Sequence, residues 1–452
     1  MKYSIITFGC RVNQADSLGC EEDLLAAGAE PASAEQADLV VVNTCSVTSS
    51  ADQAARQAIR RVARRNPGAR IVVTGCYATR RPDELRDLPH VVHVIPNDDK
   101  PRLVALMGAH ARDTAAIVLG PMTSAESTAM VTTAERFGDG PGSCGAPIEP
   151  GVAGRTAFTL RVQTGCAEPC SYCIIPSTRG APRSVPPDAV VREATRVTAA
   201  GFKEIAITGV HLGSYGRDLT PQSSLIDLLS RLDDPRRGSF DRGSRLAEQE
   251  PVRFRISSLE PMDCSRAVVD LVASSDRFAR HFHLPLQHAS ARVLTAMRRP
   301  YTIDQYSALV DDIRTRMPDA SIGSDLIVGF PDESSEDFEQ LASYLERSPL
   351  THVHVFPYSD RPGTAASAMG GRVSGGVVRE RARRIREIGH RLTTRFRESQ
   401  VGTIHRGLTL EDGSLVVTGN YLKLRIPAGR ARNEWVAVKI TGTNEPMVGE
   451  IC

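Results

Sequence analysis

No run of 18 or more apolar residues occurs in the 452-residue chain, which excludes an ordinary membrane-spanning helix. The opening "MKYSIITFGC" lacks the length, flank and cleavage site of an export signal, so a cytoplasmic protein is expected. Charge bias is lacking too: 55 basic against 53 acidic residues give a formal net charge of +2, so any nucleic-acid footprint must be local. No internal repeat of solenoid period is present. With no export signal, the ten cysteines point to metal binding or catalysis rather than disulfides.

What is present is a recurring ending. "SIITFGC", "ADLVVVNTC" and "RIVVTGC" are short apolar, strand-like runs closing on Cys10, Cys45 and Cys76. Such runs alternating with helical stretches predict a doubly wound parallel α/β domain, whose ligand crevice lies beyond the carboxyl ends of the strands. The helix "AARQAIRRVARRNP" places Arg56, Arg60 and Arg64 on one face, either solvated or phosphate-contacting.

At this length two or three domains are expected. The boundaries read as 1–105 for the N-terminal domain, 106–153 for a Gly/Pro/Ser-rich linker holding Cys144, 154–385 for a second βα series and 386–452 for a basic helix end and small β module. The series, six units from "TAFTLRVQTGC" to "THVHVFPYSDRPGT", predicts a partial (β/α)6 barrel with its chemistry at the C-terminal strand ends. Residues 233–251 read as an inserted polar loop. The tail predicts a small β-barrel. Before it, "VVRERARRIREIGHRLTTRFRESQ" is either an RNA-facing basic helix or, with Glu380, Glu387 and Glu398 interleaved, a salt-bridged one.

"VQTGCAEPCSYCIIPSTRG" sets Cys166, Cys170 and Cys173 in a CxxxCxxC cluster at the end of the first barrel strand. Three thiolates hold three irons of a [4Fe-4S] cubane and leave the fourth without a protein ligand, whereas structural zinc takes four closed ligands. Cys10, Cys45 and Cys76 form a second three-thiol set, against the alternative of small residues buried at crowded strand ends. His281, His283 and His288 show no clear metal-ligand spacing, and ordinary strand and loop positions are expected for them. Cys20, Cys264 and Cys452 fall outside the pattern.

This spacing at the top of a β/α barrel resembles the radical S-adenosylmethionine (SAM) superfamily. With the N-terminal cysteines and the β module, nearly the whole chain resembles the methylthiotransferases, through "TFGCRVNQADS", "NTCSVT", "VVTGCY" and "GCAEPCSYCIIPSTRG". Within them, "ISSLEP", "HLPLQHASARVLTAMRRPYT", "SDLIVGFPDE" and "HVFPYSDRPGT" look most like the branch acting on N6-threonylcarbamoyladenosine at tRNA position 37.

The resemblance implies a radical-SAM enzyme with two [4Fe-4S] clusters and SAM, methylthiolating C2 of that nucleoside in the tRNA anticodon loop (of ANN-decoding tRNAs). An electron donor such as flavodoxin or ferredoxin is implied, as is a TRAM-like, RNA-binding β-barrel. The C2–H bond has no acidity that a base can exploit at neutral pH, so the reaction needs radical chemistry, which the cofactors carry. Tyr172 matches the aromatic that packs near adenine. Gly209 in "TGVHLGS" offers close backbone approach to SAM's amino-acid end. Glu260 is a candidate for a ribose hydroxyl, or a cap or ion-pair partner; Arg179 and Arg183 for SAM's carboxylate or an RNA phosphate; Gln287 and Asp325 for the same cavity. Isopentenyladenosine-37 tRNA, a ribosomal-protein aspartate, and a non-enzymatic iron-sulfur RNA-binding or redox-sensing role are the competing readings.

Overall fold

The protein is described from a computed structural model covering residues 1–110, 156–234 and 252–452. Most of the expected linker, Cys144 and residues 235–251 of the polar loop lie outside the described residues. The chain divides into two compact units; the described part of the first comprises residues 1–110, 161–168 and 173–193, and the second holds the rest.

The first unit runs β1 (Lys2–Thr7), α1 (Arg11–Ala26), β2 (Glu30–Pro31), β3 (Leu39–Thr44), α2 (Ser49–Arg65), β4 (Arg70–Gly75), α3 (Cys76–Arg80), α4 (Asp83–Arg86), β5 (Val91–Ile95) and α5 (Leu103–His110). Its five strands pair in the parallel order β2-β1-β3-β4-β5. All six residues of β3, "LVVVNT", are buried, as a strand covered on both faces requires. Val40, Val42, Ile71 and Val73 pack with Ala55 and Ile59 of α2 on one face. Leu39, Val41 and Val72 pack with Leu24 of α1 and Leu103 of α5 on the other. Cys20 belongs to this second core. On α2, Arg56 contacts Glu84 and Tyr77, while Arg60, Arg61 and Arg64 are exposed.

Beyond β6 (Phe158–Arg161), β7 (Gln163–Thr164) pairs antiparallel with β8 (Arg183–Ser184) around α6 (Ile175–Arg179), and α7 (Pro187–Ala199) follows. The second unit then alternates β9 (Glu204–Thr208), α8 (Leu225–Asp233), β10 (Arg253–Ile256), α9 (Arg266–Ser274), β11 (His281–His283), α10 (Ala291–Ala296), α11 (Ile303–Arg316), β12 (Ser321–Val328), α12 (Ser335–Arg347) and β13 (His352–Pro357). The strands form two sheets, β10-β9-β6 and β11-β12-β13, tied by a bridge between Phe254 and Phe278, in the six-strand βα order read from the sequence. Ser or Thr side chains cap α8 to α12, with reciprocal capping boxes at Thr302 and Ser334.

The long helix α13 (Gly375–Ser399) packs on β13 and leads into β14 (Ile404–Leu410), β15 (Leu415–Thr418), β16 (Lys423–Arg425), β17 (Trp435–Gly442) and β18 (Met447–Ile451), a closed barrel in the order β14-β15-β16-β18-β17. The boundary expected at 385/386 falls inside α13. The arginines of α13 are mostly engaged: Arg381 with Glu333, Arg383 with Glu380 and Glu387, Arg384 with Glu339, Arg391 with Glu346 and Arg397 with Glu445. Of the two readings of this helix, the salt-bridged one describes it.

Two buried arginines join the six-stranded region to the small barrel. Arg253 and Arg255 share Glu204, and their remaining N–H groups reach the carbonyls of Arg406, Val417, Thr418 and Gly419. Arg253 lies 4.8 Å over Trp435, and Arg255 lies 4.5 Å over Tyr421. Burial would raise the Glu204 carboxyl, but Arg255 and Arg253 hold it down at about 2.

Candidate iron-sulfur centres and barrel site

The strand order 2-1-3-4-5 reverses direction between β1 and β3, and a doubly wound sheet opens its ligand crevice at that switch point. Cys10 and Cys45 follow those two strands, and Cys76 follows β4. Cys10 is the N-cap of α1, and Cys76 is the first residue of α3. Two glycines make the junctions. Gly9 has φ +91°, and a Cβ there would stand 2.6 Å from Cys45 Sγ; Gly75 has φ +99°, and a Cβ there would stand 2.3 Å from the Thr44 carbonyl oxygen.

Burial pushes the Cys45 thiol up to about 11; the Val47 N–H opposes this, and the neighbouring Cys10 and Cys76 thiols add to it. Asn97 Nδ2 lies 3.6 Å from Cys76 Sγ, and that sulfur is near enough to the Arg179 guanidinium to favour its charge. Lys100 adds a second buried cation nearby. Beneath the thiols Asp16 binds Lys100 at 2.8 Å, Arg161 at 2.6 Å and Arg179 at 3.0 Å. Burial alone would raise the Asp16 carboxyl, but these three cations hold it well below the usual range. The donor set is therefore sulfur with cationic and amide N–H neighbours, which suits a thiolate-ligated iron-sulfur cluster of net negative charge. Among the described residues, the set of His, Cys, Asp or Glu ligand atoms closing to within 4.8 Å is His283, Asp325 and His354.

The second cysteine loop is held locally. Gly165 (φ +76°) precedes Cys166, and a Cβ on it would meet the Ala181 carbonyl at 1.9 Å; Cys166 donates its N–H to the Gly180 carbonyl and receives that of Glu168 on its sulfur at 3.4 Å. Between Cys170 and Cys173, Ser171 donates from Oγ to the Ala296 carbonyl at 2.7 Å and from its N–H to the Met297 carbonyl at 3.1 Å. Tyr172 packs against a core of Val293, Met297, Ile327, Phe330 and Ala366.

Arg299, missed in the sequence, donates from Nη1 to Cys170 Sγ at 3.2 Å. Its guanidinium pairs with Glu260, donates to the Tyr301 hydroxyl at 3.0 Å and lies 5.0 Å over the Tyr301 ring. Burial opposes its charge, but Tyr172, Glu260, Tyr301 and Cys170 hold its pKa above the ordinary value. Glu260 is thus an ion-pair partner, one of the roles read for it.

Other expected residues are placed as follows. Arg179 is 3% exposed and hydrogen-bonded to Asp16 and Asn13 of the N-terminal domain. Arg183 pairs with Asp98 at 3.1 Å. Gly209 directly follows β9, and in the same turn Gly213 is closely approached: a Cβ there would fall 2.0 Å from the Asp263 carboxyl carbon. Gln287 holds φ +66°, a strained left-handed conformation, and donates its N–H to the Asp325 carbonyl at 2.8 Å. Asp325 receives His283 Nε2 and His354 Nδ1, each at 3.0 Å; His281 and His283 lie on β11 and His288 in the loop after it. Cys264 is a buried thiol pushed up to about 12, and Cys452 is exposed.

Residues 160–345 match the radical SAM superfamily, and residues 2–96 match an uncharacterized protein family, UPF0004. The fold agrees: the cobalamin- and [4Fe-4S]-bound radical SAM methyltransferase TsrM from Kitasatospora setae superposes with a TM-score of 0.53 at 15% identity, covering 81% of this chain and 73% of that one. Among curated proteins, the threonylcarbamoyladenosine tRNA methylthiotransferase MtaB of Aquifex aeolicus is 34% identical over 94% of this chain and 96% of its own length. The Bacillus subtilis protein of that name is 33% identical over 86% and 80%. The ribosomal protein uS12 methylthiotransferase RimO of Roseiflexus sp. is 32% identical over 93% and 88%. The fold and these matches make the chain a radical-SAM enzyme. It belongs to the methylthiotransferase family, which implies SAM and a [4Fe-4S] cluster as cofactors.

Proposed function

We propose that the enzyme methylthiolates C2 of N6-threonylcarbamoyladenosine at position 37 of tRNA, in the cytoplasm. The observation that carries this reading is the gathering of Cys10, Cys45 and Cys76 at the switch point of one sheet, in a chain with the separate set Cys166, Cys170 and Cys173. Two three-thiolate sites suit an enzyme that must both cleave SAM and hold a sulfur donor. The names of its relatives support the substrate: four MtaB proteins match at 29–34% identity.

In this reading Cys166, Cys170 and Cys173 hold the radical-SAM cluster and Cys10, Cys45 and Cys76 hold the second. Together with SAM these groups supply the one-electron chemistry and the sulfur that a C2–H substitution needs. The protein's own task is placement. Arg299 balances charge at Cys170, Arg179 and Lys100 do so at Cys76, and the neutral Asn97 amide stands 3.6 Å from the Cys76 sulfur. In this reading Tyr172, Glu260, Gly209 and Gln287, beyond their strands, and Asp325, within β12, line the cavity that receives SAM and the base. With α13 committed to ion pairs, we assign tRNA contact to the TRAM-like barrel and to the exposed arginines of α2. A single-stranded anticodon-loop base can be splayed into such a site.

The RimO relatives favour a second reading, in which the acceptor is a ribosomal protein. Mass spectrometry of tRNA nucleosides from cells with and without the gene separates the two. Loss of the methylthio form, with accumulation of its unmethylthiolated precursor, is expected; unchanged tRNA overturns the assignment. Within the enzyme, Cys173→Ala is expected to abolish reductant-dependent 5′-deoxyadenosine formation. Cys45→Ala is expected to keep it and lose methylthio transfer, and full product from Cys45→Ala would rule out the two-site account.

A further inference from the structure

Two strands of the second unit carry histidine at alternate positions, His281 and His283 on β11 and His352 and His354 on β13. Parallel register sets His281 beside Ser321, His283 and His352 on either side of Gly323, and Asp325 beside His354, so the four imidazoles and one carboxylate share a sheet face. The opposite face of β13 is covered by α13: a Cβ on Gly389 would stand 2.7 Å from Val353 Cγ2, and Thr393 donates to the Thr351 carbonyl. The histidines therefore face the inside of the βα array. Gly323 makes room for them, because a Cβ there would fall 2.1 Å from His352 Nε2.

Asp325 organises the group. One carboxylate oxygen receives both His283 Nε2 and His354 Nδ1 at 3.0 Å, with the two rings 5.4 Å apart. His283 is 12% exposed and Asp325 26%, while His354 is 59% exposed and Phe356, two residues on along the same face, 38%. His354 thus commits Nδ1 to Asp325 and presents the rest of its ring to the open interior. Electrostatics agree: the Asp325 bond raises His354, while burial pushes neighbouring His352 down to about 4 and keeps it neutral. Burial would raise Asp325, but the hydrogen bonds from His283 and His354 hold it well below the carboxylate range. The Asp325 bond favours the protonated ring of His354, and a partly exposed ring so biased, its far nitrogen on the exposed side, suits an anionic acceptor. The N6 substituent of threonylcarbamoyladenosine ends in a free carboxylate and a hydroxyl; an isopentenyl substituent has neither.

Resting on the substrate reading above, we propose that His354, held by Asp325 with His283, binds the carboxylate of the threonylcarbamoyl side chain and so selects this nucleoside. His354 is the contacting residue, and Asp325 and His283 are positioning residues. One charge-assisted hydrogen bond is worth roughly 10- to 100-fold in affinity.

The test uses the reconstituted holoenzyme and fluorescence anisotropy with three anticodon stem-loops: threonylcarbamoyladenosine at position 37, its carboxyl methyl ester, and unmodified adenosine. The wild type is expected to prefer the free acid over the ester by about 10-fold or more. His354→Phe is expected to erase that preference, and His354→Gln, which keeps a donor, to restore part of it. The exposure of His354 makes both variants compatible with folding, and iron content checks this. Retention of the acid preference by His354→Phe overturns the proposal. So does its loss from the wild type on adding EDTA, which would make the cluster a metal site. A wild type that methylthiolates the threonylcarbamoyl stem-loop yet binds ester and acid alike overturns this inference alone. A wild type that methylthiolates isopentenyladenosine RNA instead overturns the parent reading and this inference together.

Discussion

At the scale of single residues, Arg299 shows what a cysteine pattern leaves out. It is 129 positions from Cys170 along the chain, yet its side chain, 2% exposed, donates to that sulfur. Hydrogen bonds to a ligating sulfur and a nearby buried cation both favour the more negative, reduced form of an iron-sulfur cluster. Arg299→Gln is therefore expected to shift the midpoint potential of the radical-SAM cluster downward, and Glu260→Gln, which removes the opposing charge, to shift it upward. An EPR-monitored redox titration checks both. The two sets of three cysteines were legible because their chemistry is written in short spacings and strand endings. Arg299, Asp16 and Asn97 were not, because their significance exists only once distant segments are folded together. For the histidines a faint signal was present: "HFH" and "HVH" each put two imidazoles on one face of a strand, which period-two reasoning would have found.

At the scale of elements, the strand endings carry the site. β4 delivers Cys76 through Gly75, whose positive φ and contact with the Thr44 backbone leave no room for a side chain. Gly75→Ala combines a left-handed residue, costing about 1–3 kcal/mol, with a backbone clash at the crevice. A lower melting temperature and loss of the iron bound at the N-terminal site are expected, with the radical-SAM iron retained; iron analysis in a Cys173→Ala background reads out the first site and in a Cys45→Ala background the second. Alternating apolar runs made the βα order legible. The strand order 2-1-3-4-5 was not, since pairing partners are chosen by packing of α1 and α5 on one face of the sheet and α2 on the other. The charge pattern of α13 was legible only as two alternatives, because partners such as Glu333, Glu339 and Glu346 lie some 45 residues away.

At the scale of the molecule, the small barrel is fastened through one buried carboxylate and two arginines. Glu204 is held at about 2 against an ordinary 4.5, so its contribution to stability is fully present above 4.5 and lost as pH falls toward 2. Acid titration followed by calorimetry should show stability falling in that window. Glu204→Gln should remove that part of the pH dependence and, by leaving two buried guanidiniums unmatched, cost about 3–5 kcal/mol at neutral pH. Trp435, the only tryptophan in the chain, sits at this junction, with Arg253 4.8 Å and Arg406 4.1 Å over its ring. The protein therefore carries its own optical gauge. Its tryptophan emission has one source, placed where the two modules meet, so any loosening of that seam during RNA capture or unfolding becomes visible in a cuvette without an attached dye.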